Sequence, residues 1–173
     1  MNLAKRVSDL IPSVDGSLNF VRELWDRLSQ VPGGKAVFSK AIGRAAPYTG
    51  NIDARVRQLQ LGFAQVTMND RRPLRNHLKC LHAVALVNLV ELTGNLALAY
   101  SLPDDGRFIV SGLSVEYLKK ARGTITAESI APIVETAEKK AYLVEVVLRD
   151  ADDDIVVRGT LNTLVGPKPK KKG

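Results

Sequence analysis

The chain has 173 residues, 45% of them apolar and 25% charged, which predicts one globular domain with a real core rather than a fibrous or disordered protein. A single cysteine excludes an internal disulfide framework and gives no sign of secretion. The formal charge of +7 points toward nucleic acid, but Lys168, Lys170, Lys171 and Lys172 in the terminal GPKPKKKG carry four of those charges and leave +3 on the body, so the basicity belongs to a tail over 167–173 expected to be disordered.

The first segment, MNLAKRVSDLIPS, lacks a continuous apolar run and does not read as a signal peptide. Leu3, Val7, Leu10 and Ile11 share one helical face, and Leu18, Val21, Leu24, Trp25 and Leu28 share another. Pro32-Gly33-Gly34 breaks the second helix. A third is expected from about Lys35 to Ala45, with Val37, Phe38, Ala41 and Ile42 facing in, stopped by Pro47. These pieces form a helical extension over 1–47, packed as a cap on a main domain over 48–166.

From Asn51 the period changes to two. Ile52, Ala54 and Val56 alternate with polar residues, then Leu59 and Leu61 resume out of phase, which predicts a bulge near Arg57-Gln58. Phe63 to Met68 makes a second strand, and DRRPLRN is a basic loop. Asn76 to Tyr100 reads as one long helix, apolar nearly all round, followed by a turn at Asp104-Asp105-Gly106. Strands follow over Phe108–Leu118, Thr124–Ile130, Ala141–Arg149 and Ile155–Val165, with an acidic turn at Asp150–Asp154. Short connections force the last strands to be antiparallel. A lone helix apolar on every side is best buried by such a sheet curling around it, giving an α+β fold.

The rule-breakers on that helix are Asn88, Glu91 and Asn95, stacked on one face by their spacing. They also argue against a membrane span, where a central carboxylate costs roughly 2.5–3.5 kcal/mol. A cytoplasmic location is the simplest expectation.

Asn76-His77 followed by Leu81-His82, with Glu91 nine positions after His82, resembles the helix-start pattern of hotdog-fold acyl-CoA thioesterases, in particular the phenylacetyl-CoA thioesterase-like branch. That pattern is Asn-His, a short Gly-containing stretch, Leu-His-Gly-Gly, then an acid. The segment Tyr117-Leu118-Lys119-Lys120-Ala121-Arg122-Gly123 is similar to a second family segment. The likeness covers roughly 52–165. Where the family carries glycines this chain has Lys79, Ala83 and Val84.

The resemblance implies a curved antiparallel sheet around one central helix and hydrolysis of an acyl-CoA thioester. The Ala83 backbone N–H, helped by Asn76, would form the oxyanion site, and Glu91 would serve as general base or nucleophile, its pKa raised by burial. It also implies a homodimer, with acid and oxyanion donors from opposite subunits; pairing of dimers into tetramers stays open. His82 reads as structural or substrate-orienting, and Asn88 as a supporting or substrate-binding amide. Lys119, Lys120 and Arg122 are candidates for the coenzyme A phosphates, Arg122 foremost.

Asn76 has a competing reading as a helix N-cap, and Glu91 one as a buried structural carboxylate. Cys80 lacks a base and reads as packing. The two histidines are five apart and off one face, so no metal is expected, and no cofactor beyond the coenzyme A of the substrate. Two further functions compete: a non-catalytic hotdog module that binds acyl-CoA or lipid, and nucleic-acid binding through the basic loop and tail, which is unlike single-strand readers in having only 5% aromatics.

Overall fold

A computed structural model describes residues 19–169; the face set by Leu3, Val7, Leu10 and Ile11, and Lys170 to Lys172, lie outside them. Helix α1 (Phe20–Leu28) starts at Asn19, whose side chain accepts the Arg22 N–H. Gly33, at φ +77°, takes a left-handed turn that suits a residue without Cβ and leads into α2 (Gly34–Ala45). Pro47 follows the end of α2 as expected, but it also opens a one-turn helix, α3 (Pro47–Gly50). Proline's fixed φ and missing N–H suit a first helical turn. Val37 does not face in: it is exposed, while Phe38 and Ala41 are buried.

Strands β1 (Arg55–Gln60) and β2 (Phe63–Met68) form a hairpin through Leu61-Gly62, with Gly62 at positive φ. Their register slips between Val56 and Gln58, the expected bulge. Helix α4 (Ala83–Ser101) follows, then β3 (Gly106–Tyr117), β4 (Ile125–Ile130), β5 (Lys140–Arg149) and β6 (Ile155–Pro167). The six strands form one sheet in the order β1-β2-β4-β5-β6-β3, every neighbouring pair antiparallel. This is the hotdog arrangement, an antiparallel sheet around a central helix.

Alternation puts one residue in two under the helix. A single cross-strand row runs Val56, Val66, Ala127, Leu148, Val157, Tyr117 through all six strands. The first five are buried and Tyr117, on the edge strand, is half exposed. Helix α4 buries Leu89, Val90 and Ala97, and glycine brings it close to the sheet: a Cβ on Gly159 would lie 2.3 Å from Val90 Cγ1. By length and composition α4 could cross a membrane, but here most of its apolar residues belong to the protein's own core.

The helical extension joins the same core. Trp25 meets Phe38 edge-on at 5.0 Å between centroids, and both pack in one cluster with Val56, Met68 and Leu89. Asn19 donates to the carbonyls of Ala99 and Leu102 at 2.7 and 2.9 Å, and Arg22 Nε to that of Tyr100 at 2.9 Å. Thus α1 supplies the donors that the C-terminus of α4 lacks.

Candidate active site

The long helix is shorter than its apolar pattern suggests. It starts at Ala83, not Asn76. Residues 76–82 form a tight loop in which Asn76 Oδ1 accepts the N–H groups of Leu78 and Cys80 at 2.9 and 3.4 Å and Lys79 sits at φ +55°. Asn76 therefore caps a turn, not the helix. The N-cap is His82, whose Nδ1 accepts the Val84 N–H at 3.1 Å. That bond assigns the ring proton to Nε2.

Capping leaves one helix donor over. Among the described residues nothing accepts from the Ala83 N–H. Ala83 is one of the residues lining a cleft of about 340 Å³, with Asn76, Cys80, Leu86, Tyr117 and Lys120 among the others. The Asn76 amide nitrogen is likewise uncommitted among those residues. Tyr117 closes one side, its hydroxyl donating to the Ala83 carbonyl at 3.3 Å, and burial raises its pKa.

Two clamps hold the cleft together. The Leu81 N–H donates to the Ala121 carbonyl at 2.9 Å. Asp70, in the basic loop, accepts from Arg75 Nε at 2.6 Å and from the Gly123 N–H at 3.1 Å. Its carboxyl pKa is lowered first by the Arg75 hydrogen bond, against the opposing effect of burial. Sequence reasoning missed Asp70, although an acid standing alone among Arg71, Arg72 and Arg75 was the available signal.

The structure gathers Asn76, Ala83, Lys119 and Lys120 at this cleft and leaves Glu91, Asn88 and Arg122 outside its lining. Glu91 is exposed, not buried: the stripe that carries it with Val84 turns away from the sheet, and the described part of the extension packs on the Asn88 side. Asn88 is buried and donates to the Tyr48 carbonyl at 3.2 Å, while Asn95 Oδ1 is buried with no donor to it among the described residues. Lys119 is held by Asp150 and Asp154 at 2.8 and 2.5 Å, which raises its pKa and lowers that of Asp150. Lys120 and Arg122 make no hydrogen bond or ion pair among the described residues; Arg122 lies near enough to Asp70 to help lower its pKa. No three His, Cys, Asp or Glu side chains there converge as a metal site would require.

The sequence matches the profile of Domain of unknown function (DUF4442) over residues 34–165. The chain belongs to that family. The DUF4442 span takes in α2 and α3 as well as the sheet. A structural-genomics crystal structure, target APC5556, is 33% identical and superposes with a TM-score of 0.75, covering 86% of this chain and 99% of its own. Similar folds at lower identity are PA5026 of Pseudomonas aeruginosa, a protein of unknown function and probable thioesterase (20%, TM-score 0.69, 79% and 97% covered), and the thioesterase HI1161 of Haemophilus influenzae (13%, 0.66, 78% and 94%). Among curated proteins none matches the sequence.

Proposed function

We propose that this DUF4442 protein is an acyl-CoA thioesterase whose active site is shared between two copies of the chain. The observation that carries the reading is Ala83 in the cleft lining, its N–H without an acceptor among the described residues, with the exposed Glu91 two turns along the same helix. Eight residues at 1.5 Å each separate them by about 12 Å, whereas a base and an oxyanion donor must both lie about 3 Å from the reacting groups. That separation favours pairing the acid of one copy with the donor of another across a two-fold axis.

The sheet edges favour the same assembly. The outer edge of β1 is covered by α2, through the Val56 N–H to Ser39 Oγ and Lys35 Nζ to the Arg57 carbonyl. The outer edge of β3 has no such cover among the described residues, and Leu113 and Tyr117 are exposed on it; a long bare edge is a pairing surface.

In the proposed reaction Glu91 takes a proton from water, and the hydroxide adds to the thioester carbonyl carbon. The Ala83 N–H and the Asn76 amide hold the oxyanion. The C–S bond then breaks, the protonated Glu91 returns its proton to the thiolate, and a carboxylic acid and the free thiol leave. Lys120 and Arg122 would meet the coenzyme A phosphates, and His82 would keep the helix start in place.

Subunit mixing tests this directly. Glu91→Gln removes the base, and Ala83→Pro removes the donor at a first helical position where His82 (φ −67°, ψ 138°) already has the extended backbone proline requires. Each variant alone should lose roughly 10²-fold or more in thiol release. Their mixed dimers contain one intact site, so a re-equilibrated equimolar mixture should recover about a quarter of wild-type activity. No recovery defeats the shared site, and a wild-type protein that releases no thiol from a broad acyl-CoA panel defeats the enzyme.

A further inference from the structure

A second cleft, of about 480 Å³, lies between α2, α3 and β1. Its size falls within the roughly 300–1,000 Å³ of small-molecule sites. Ile42, Ala54, Val56 and Leu92 make its lining apolar, and Lys40 and Arg44 contribute the positive charge. One end is closed by a glycine crossing: a Cβ on Gly50 would fall 2.5 Å from the Gly43 carbonyl oxygen, so only glycine lets α3 come so near α2.

The charges are unbalanced. Lys40 and Arg44 stand four apart on one helix, where like charges repel, and both are exposed. Neither makes a hydrogen bond or ion pair among the described residues. The helix dipole accounts for a cation in the last turn, as at Arg44, but not for Lys40 a turn earlier. The one acid in the lining, Asp53, is 3.3 Å from Arg55. An apolar floor with two unneutralised cations has the chemistry of a receptor for an alkyl chain ending in an anion.

We infer that this cleft binds an anionic amphiphile, its chain over Ile42, Ala54, Val56 and Leu92 and its carboxylate or phosphate between Lys40 and Arg44. Leu92 follows Glu91 in the helix, although Glu91 itself is not in the lining. Alkyl carboxylates are also the acid product of the proposed hydrolysis; only this link rests on the thioesterase reading.

The test is calorimetric titration of the full chain with decanoate, decyl phosphate, decanol and acetate, each below its aggregation limit. Decanoate or decyl phosphate should bind, the tighter of the two naming the head group, while decanol and acetate bind roughly tenfold more weakly or not at all. Lys40→Glu with Arg44→Glu should weaken the anion by roughly tenfold, and Ala54→Phe should shorten the longest chain accepted, with thermal melting confirming that both variants fold. No binding of either anion overturns the proposal, as does binding that neither folded variant changes. Thiol release by the wild type is measured in parallel, so failure of the hydrolase reading is seen separately.

Discussion

The Tyr117 hydroxyl donates to the Ala83 carbonyl at 3.3 Å, so the edge strand of the sheet steadies the first residue of the central helix. That residue carries the uncommitted N–H, and Tyr117 ends the cross-strand row that begins at Val56. Tyr117→Phe keeps the ring and removes the tether. The bond is long and exposed, so stability should fall by less than about 1 kcal/mol in urea denaturation. As a positioning residue, Tyr117 should affect kcat, by up to about tenfold, more than KM. An unchanged kcat would assign it to packing alone.

Glycine at 159 is required by the helix above it. The Cβ of Gly159→Ala would lie 2.3 Å from Val90 Cγ1, a core overlap costing about 1–3 kcal/mol. Adding Val90→Ala removes the obstructing methyl groups. In a double-mutant cycle the pair should therefore be more stable than the sum of its single changes predicts.

Lys79 holds a left-handed backbone, φ +55°, at a position where the related helix-start pattern carries glycine. An L side chain costs about 1–2 kcal/mol there, and glycine returns part of this as unfolded-state freedom. Lys79→Gly should raise stability by about 0.5–1 kcal/mol, read as a higher denaturation midpoint at constant slope.

Tyr100 links α4 to α1. Its hydroxyl donates to Asp26 at 2.7 Å, and its pKa is pushed up to about 12, first by burial and then by that carboxylate. Below its ordinary value of 10.0 both folded and unfolded chains keep the proton and the contribution is complete. Above it the unfolded chain ionises first, so stability falls as pH rises from about 10 toward 12. Denaturation across that window should show the loss, and Tyr100→Phe should make it shallower.

Much of the fold was legible because strands betray themselves by phase. The slip between Val56 and Leu59 gave the bulge, and Phe63–Met68 was bounded correctly by its own alternation and Gly62. The helix start was hidden because Leu78 and Leu81 continue an apolar pattern while the backbone reverses at Lys79, a residue type that normally marks no turn. Exposure of Glu91 was hidden for a related reason: Val84 and Val87 make its stripe look like core, although Val84 and Glu91 stay exposed among the described residues. On β5 the alternation was visible but its sense was not, since Leu143 and Val144 are both apolar and only Val144 is buried. The residues around Ala83 lie in two separated segments that the sequence singled out, whereas only the Arg75 half of the Asp70 clamp is local; its contact with Gly123 spans more than fifty positions.

The bonds from Asn19 and Arg22 to the end of α4 bear on how this domain can be dissected. The family span begins at residue 34, and an expression boundary drawn there would discard α1 entirely. The carbonyls of Ala99, Tyr100 and Leu102 would lose their donors, and Tyr100 would lose Asp26. The central helix would fray from its far end while the cleft at Ala83 stayed covalently complete, so a trimmed protein could look intact by sequence and still lack a rigid frame. Expression of this chain therefore needs to begin upstream of Asn19.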